Sequence, residues 1–262
     1  MEYELLGILF VLGLFGGFIS GLLGIGGGII MVPLLLYVPP AFGLAALTMK
    51  TVAGITSVQS FFGAVSGAVG HKRYNRISTS LALTLGGSMA VGSLVGSVAS
   101  IFVSSEFILM IFAGMALAAA IMMFVPKPEV HEEPPVEQLL YRKWLAIIVG
   151  LVIGLLAGVI GQGGAFLFIP AMIYLLHIPT RIAIGTALAV GIASSIAVLI
   201  GRVGTNQIPY LMSAVLVAGV LIGAQFGSVV SQRTPRQALR RVLAVLITIT
   251  AIKMWYEILI II

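Results

Sequence analysis

Two short runs hold the residues best suited to binding chemistry: Gly24-Ile25-Gly26-Gly27-Gly28 and Gly161-Gln162-Gly163-Gly164-Ala165. Glycine costs about 1 kcal/mol per helical position relative to alanine, so each run is expected to end one helix and let another begin. The new helices are expected near Ile29 and Phe166, with Pro33 and Pro170 close to the first turn, where proline is tolerated. The first N–H groups of a helix have no intrahelical acceptor. Bare amides there make an anion site, through hydrogen bonding and the helix dipole. The candidate ligands are therefore the amides of Gly26, Gly27, Gly28, Gly163, Gly164 and Ala165, with the side chain of Gln162. Glycine-rich stretches also serve close helix packing. Gln162 favours the binding reading, because packing has no need of a polar group there. The runs are not dinucleotide fingerprints: the GxGxxG register is not met, and no acid follows about 20 residues on.

Hydroxyls and amides elsewhere suit the same chemistry. Thr48, Thr51 and Gln59 fall within an arc of about 80° on one helix. Thr186, Ser194 and Ser195 occupy the corresponding helix later in the chain. Thr51 and Thr186 are secondary ligand candidates, and hydrogen bonding between helices explains them equally well. Lys50 and Arg181 lie near the starts of these helices, as attractants for an anion or as interface markers. His177, beside Pro179, reads as a helix end.

Carboxylates are scarce. The chain has no Asp, and its Glu residues are confined to the terminus, the loops and the last helix. Proton and sodium pathways usually need intramembrane carboxylates, so a carboxylate relay is not expected. There is no Cys, which removes disulfides and thiolate chemistry. No metal site or cofactor is expected; His131 among glutamates reads as solvated linker. Ser66 and His71 are the only hydrolase candidates, without a GxSxG context.

The elements that position these residues follow from composition. Of 262 residues 60% are hydrophobic and 8% charged, against about 25% charged in soluble domains. So few charges cannot cover a water-soluble particle. The charge-free stretches 5–49, 77–105, 107–126, 144–180 and 203–232 each reach or exceed the roughly 20 residues that cross a bilayer. The fold class is therefore all-α and polytopic, in the lipid bilayer of the cell membrane, with about eight transmembrane segments. The net charge of +6 fits basic cytoplasmic loops better than nucleic acid. Met1-Glu2-Tyr3-Glu4 lacks a basic run, so no cleaved signal is expected. Residues 126–143 are rich in Pro and Glu and read as a hydrophilic linker between membrane parts 1–125 and 144–262. Lys253 and Glu257 are spaced to pair on the last helix.

The two parts align with each other. Gly21 to Gly28, Pro33 and Tyr37 match Gly158 to Ala165, Pro170 and Tyr174 at an offset of 137. Thr51 and Ser60 match Thr186 and Ser195, and Asn75-Arg76-Ile77 matches Asn206-Gln207-Ile208. Ser88, Gly92 and Gly96 match Gly219, Gly223 and Gly227, and both sets read as packing seams. Paired halves with glycine-interrupted segments point to a transporter. Basic residues follow the second segment of the first half (Lys72, Arg73, Arg76) but the third segment of the second (Arg233, Arg236, Arg240, Arg241); Arg202 is the lone cation after that half's second segment. The positive-inside rule then implies inverted repeats, with the linker cytoplasmic and both termini outside. Each half must cross an odd number of times, so its first segment is expected to be a hairpin bent at the glycines.

The stretches GLLGIGGGIIMVPLL at 21–35, GVIGQGGAFLFIP at 158–170 and RIAIGTALAV at 181–190, with the duplication, resemble the TauE/SafE sulfite exporter family. The resemblance implies an integral membrane transporter for sulfite or an organosulfonate, and an exporter rather than an enzyme. The partners expected are a small anionic substrate and lipid, and self-association into a homo-oligomer is left open. A non-transporting membrane scaffold is the alternative, for which duplicated glycine breaks have no use.

Overall fold

A computed structural model describes residues 2–23, 28–70, 78–124, 139, 141–162 and 165–261. All regular structure among them is helical. The first half contributes α1 (Glu2–Leu23), α2 (Gly28–Ala41), α3 (Met49–Gly70), α4 (Thr79–Ala99), a single 3-10 turn and α5 (Ser105–Phe124). The second contributes α6 (Lys143–Ile160), α7 (Ala165–Tyr174), α8 (Thr180–Val203), α9 (Tyr210–Arg233) and α10 (Arg236–Ile261). Among the described residues six helices are long and apolar enough to cross a membrane. With 22 and 24 residues, α3 and α8 have the length as well. Leu83, Phe102, Phe124, Phe226 and Leu259 are exposed on the outside of the bundle, as suits a protein solvated by lipid. The chain is a multi-pass membrane protein.

Two glycine seams hold the bundle together. In α1, a Cβ on Gly13 would lie 2.3 Å from the Leu216 carbonyl oxygen and one on Gly21 2.2 Å from that of Ala224. From the other side, Cβ atoms on Gly219, Gly223 and Gly227 would lie 2.0–2.3 Å from carbonyl oxygens of Phe10, Leu14 and Phe18. α1 and α9 thus touch backbone to backbone, as small residues four apart permit. The second seam joins α4 to α6 through Gly92, Gly96, Gly150, Gly154 and Gly158. The glycines expected to pack do so.

The contacts also fix helix directions. Contact positions rise together along α1 and α9, so these run parallel, and so do α4 and α6. α3 runs parallel to α9, since Gly54 abuts Gln207 and Gln225 donates to Ser66 at 3.2 Å. Thr186 meets Ser78 at one end of α4 and α8, and Ser194 meets Ser93 further along, so that pair is parallel too. Lys50 at the start of α3 donates at 3.1 Å to the Ile101 carbonyl, in the 3-10 turn that follows α4, which makes α3 and α4 antiparallel. α2 doubles back on α1, because Gly16 packs against Met31 across the intervening glycine run.

Several boundaries differ from expectation. Residues 44–48 are not helical, and Thr48 instead accepts the Thr51 N–H at 3.2 Å ahead of α3. The basic residues from Arg236 onward belong to helix α10 and not to a loop between segments. Pro33 and Pro170 are the sixth residues of α2 and α7, not first-turn residues. A proline there lacks the N–H that would meet the carbonyl four residues back, which is Ile29 or Phe166. The linker expected at 126–143 lies mostly outside the described residues.

Candidate functional site

The site begins where α6 stops. Gly161 takes φ 81°, its N–H reaches the Gly158 carbonyl at 3.1 Å, and the Gln162 N–H reaches that of Ala157 at 2.9 Å. This is a Schellman ending, and glycine is needed there for the left-handed backbone. It is also needed for space, since a Cβ on Gly161 would lie 2.1 Å from the Ala53 carbonyl oxygen of α3. Thr56 of α3 donates to the Gly161 carbonyl at 3.4 Å.

Gln162 therefore leaves α6 in a fixed direction. It is 1% exposed, and its Nε2 donates to the Gly28 carbonyl at 2.9 Å. Gly28 is the first residue of α2, and Ala165 is the first of α7. One side chain thus ties the second glycine run to the helix that starts from the first. Among the described residues the Gln162 Oε1 has no hydrogen-bond partner. A buried acceptor left unpaired in this way is rare and costs about 1–3 kcal/mol.

The neighbouring hydroxyls are mostly committed. Thr186 is fully buried and accepts the Ser78 N–H at 3.2 Å, just ahead of α4. Ser93 and Ser194 share a hydrogen bond of 2.8 Å. Thr51 is half-buried, with its hydroxyl 2.9 Å from that of Thr48. Gly26, Gly27, Gly163 and Gly164 lie outside the described residues, and Ala165 is described only as the start of α7. Of the remaining candidates, Gln162 and Gly28 are in contact, and Thr51 and Thr186 have other partners.

Other sequence readings resolve simply. His177 is exposed at the end of α7 with φ 57°, a chain-turning position. Lys50 is engaged by a helix end. Ser66 accepts from Gln225, while His71 lies outside the described residues. Lys253 and Glu257 pair at 2.5 Å.

The sequence reading missed Arg202. It is not a loop charge but sits in the last turn of α8, at 0% exposure. Its NH2 group donates to the carbonyls of Val159 at 2.6 Å and Gly158 at 3.3 Å, and its NH1 group to Gln207 Oε1. Ser100 donates to the same oxygen at 3.1 Å. The usable signal was alignment: at the offset of 135 that relates Thr51 to Thr186, Arg202 falls opposite Gly67, which lies inside α3.

Comparison with known proteins agrees with this architecture. The family model described as "Sulfite exporter TauE/SafE" matches residues 9–254. The chain is 24% identical to "Probable membrane transporter protein YunE" of Bacillus subtilis, over 95% of the chain and 97% of that protein. It is 27% identical to YdhB of the same organism, over 89% of the chain and 91% of that protein. "Probable membrane transporter protein MJ0441" of Methanocaldococcus jannaschii is 23% identical, over 93% of the chain and 94% of that protein. No solved structure matches the chain.

Proposed function

The chain belongs to the sulfite exporter TauE/SafE family, which is a family of membrane transporters, and from that premise we propose that it carries a small sulfur-containing anion such as sulfite or an organosulfonate, outward across the cell membrane. The anion is held between the glycine breaks, by amides of Gly26–Gly28 and Gly163–Ala165 and by Gln162. Thr51 and Thr186 are secondary ligands that would have to leave Thr48 and Ser78. The observation that carries this reading is Gln162, buried at the second break; its Nε2 is bonded to the Gly28 carbonyl and has a second N–H to offer an anion. It brings the start of α2 close to the second break, where α7 begins, and two helix N-termini attract negative charge.

The halves, 1–125 and 144–262 with the linker 126–143 between them, act as inverted repeats with eight long spans and two short helices. Support comes from direction: α1 and α3 run one way, and their counterparts α6 and α8 run the other. With five helices per half, each reversing, the ends of α3, α5 and α9 share one side, and the basic stretches that adjoin α3 and α9 in sequence, 71–76 and 233–241, then meet the positive-inside rule. Rocking one repeat against the other around a fixed site is the motion such an architecture permits.

The test is sulfite efflux from proteoliposomes, with sulfate, chloride and a small organosulfonate as competitors. Sulfite flux that survives sulfate and chloride supports the reading. An organosulfonate crossing in place of sulfite changes the cargo, and no flux of any anion refutes the transport reading. Gly163→Val or Gly164→Val should abolish flux in protein that still inserts.

A further inference from the structure

Among the described residues Arg202 has no counter-ion. Its guanidinium is fully buried, yet the one ion pair between described residues is Lys253–Glu257. The chain offers little else: it has no Asp, and its other Glu are residues 2, 4, 106, 129, 132, 133 and 137. Of these, Glu106 is exposed at the start of α5. An ionised group removed from water without an opposite charge is strongly unfavourable, and inside a membrane it marks function by default.

Capping the end of α6 does not account for the charge. The Gly158 carbonyl already accepts the Gly161 N–H; the Val159 carbonyl needs a donor, but a serine or an amide would serve. Nor does that work exhaust the guanidinium: among the described residues Nε–H has no acceptor at all. The carbonyls it holds belong to the turn that leads into the second glycine run. Arg202 bonds half-buried Gln207, which follows exposed Asn206 in the chain.

We propose that Arg202 is a specificity-determining residue, whose guanidinium supplies the fixed positive charge that draws a small oxyanion to the second glycine break, with Nε–H as the free donor. The proposal rests on the reading of that break as the anion site. With its NH2 group on the negative end of α6, Arg202 also cancels the field that would repel the anion. One fixed charge compensates a monoanion fully but leaves half of a dianion's charge buried and unpaired, so hydrogensulfite or an alkylsulfonate binds ahead of sulfate.

The test uses the purified full chain in detergent. Thermal unfolding is followed against sodium sulfite, methanesulfonate, sulfate and chloride at constant ionic strength. Sulfite or methanesulfonate should raise the unfolding temperature at lower concentration than sulfate. Arg202→Gln should raise the half-maximal concentration about tenfold or more, as loss of a charge-assisted hydrogen bond does. Arg202→Lys, which keeps the charge, should restore part of the response. Wild-type affinity in Arg202→Gln overturns the proposal. Should Arg202→Gln not fold, labelled arginine Nε resonances of the unaltered chain decide. The signal missing in Arg202→Lys must move with sulfite, and one that ignores saturating sulfite and methanesulfonate overturns the proposal. A wild-type response to methanesulfonate but not sulfite removes sulfite as cargo, and Arg202 is then judged with methanesulfonate. If no anion stabilises the wild type, the anion site and this role fall together.

Discussion

Gly28→Ala is the sharpest perturbation of the site, because it acts on one side chain. A Cβ at Gly28 would lie 2.4 Å from Gln162 Oε1 and 2.7 Å from its Cδ. Ordinary contact begins at 3.4 Å, so the amide must retreat by about 1 Å. That retreat breaks the 2.9 Å bond from Nε2 to the Gly28 carbonyl. A neutral hydrogen bond contributes about 1 kcal/mol net, and alanine at a helix start recovers part of it. Stability should therefore change by less than about 1 kcal/mol. Anion binding should suffer more, since a hydrogen bond to a charged group is worth about 1.5–3 kcal/mol, or roughly tenfold to a hundredfold in affinity. The assay is concentration-dependent efflux from proteoliposomes, with unfolding temperature measured in parallel. An unchanged half-saturating concentration in a protein of unchanged stability would refute the placement of the anion at Gln162.

The seam glycines should behave oppositely. Gly223→Leu places a side chain 2.1 Å from the Leu14 carbonyl, and such overpacking costs about 1–3 kcal/mol or more; the unfolding temperature in detergent should drop sharply. Gly87→Ala, with nothing within 4 Å of its Cβ, should be neutral or stabilising by up to about 1 kcal/mol. Equal effects at the two positions would contradict the seam. Topology is testable directly because the chain has no cysteine. A cysteine replacing Phe42, which is 70% exposed after α2, should react with an impermeant maleimide from outside the cell. One replacing Glu133 in the linker should react only after permeabilisation, and the reverse pattern would overturn the inverted arrangement.

Fold class and glycine breaks were legible in the sequence because lipid leaves few alternatives. Long apolar runs must be helices, and glycine pairs four apart must be where helices meet. Side-chain reach was not legible. Gln162 could be singled out as a misplaced polar group, but its partner at Gly28 lies 134 residues away, and only the Schellman turn at Gly161 aims one at the other. Arg202 was hidden for a different reason. A cation near a helix end reads as a loop charge, and burial appears only once α4 and α6 have closed around it. Thr51 differs again: its helical spacing from Gln59 was legible, but not that the non-helical stretch before α3 gives its hydroxyl a local partner in Thr48.

Gln162 and Arg202, the two polar side chains beside the second break, both depart from the repeat. Gln162 stands opposite Ile25, and Arg202 opposite Gly67. A strictly symmetric site would present the same ligands from either side and would have no means of favouring one carrier conformation when loaded. Here the second break holds an amide side chain and a cation nearby, while at the corresponding places the first half has a hydrocarbon side chain and a glycine with none. On the proposed site the first break would contribute backbone amides and shape, and the second would contribute recognition. Replacing Ile25 by alanine should leave the half-saturating anion concentration within about twofold. Replacing Gln162 by alanine should raise it roughly tenfold, the loss expected for one hydrogen bond to a charged ligand. Equal sensitivity of the two positions in the same efflux assay would mean that the breaks share recognition evenly and that the asymmetry is one of packing alone.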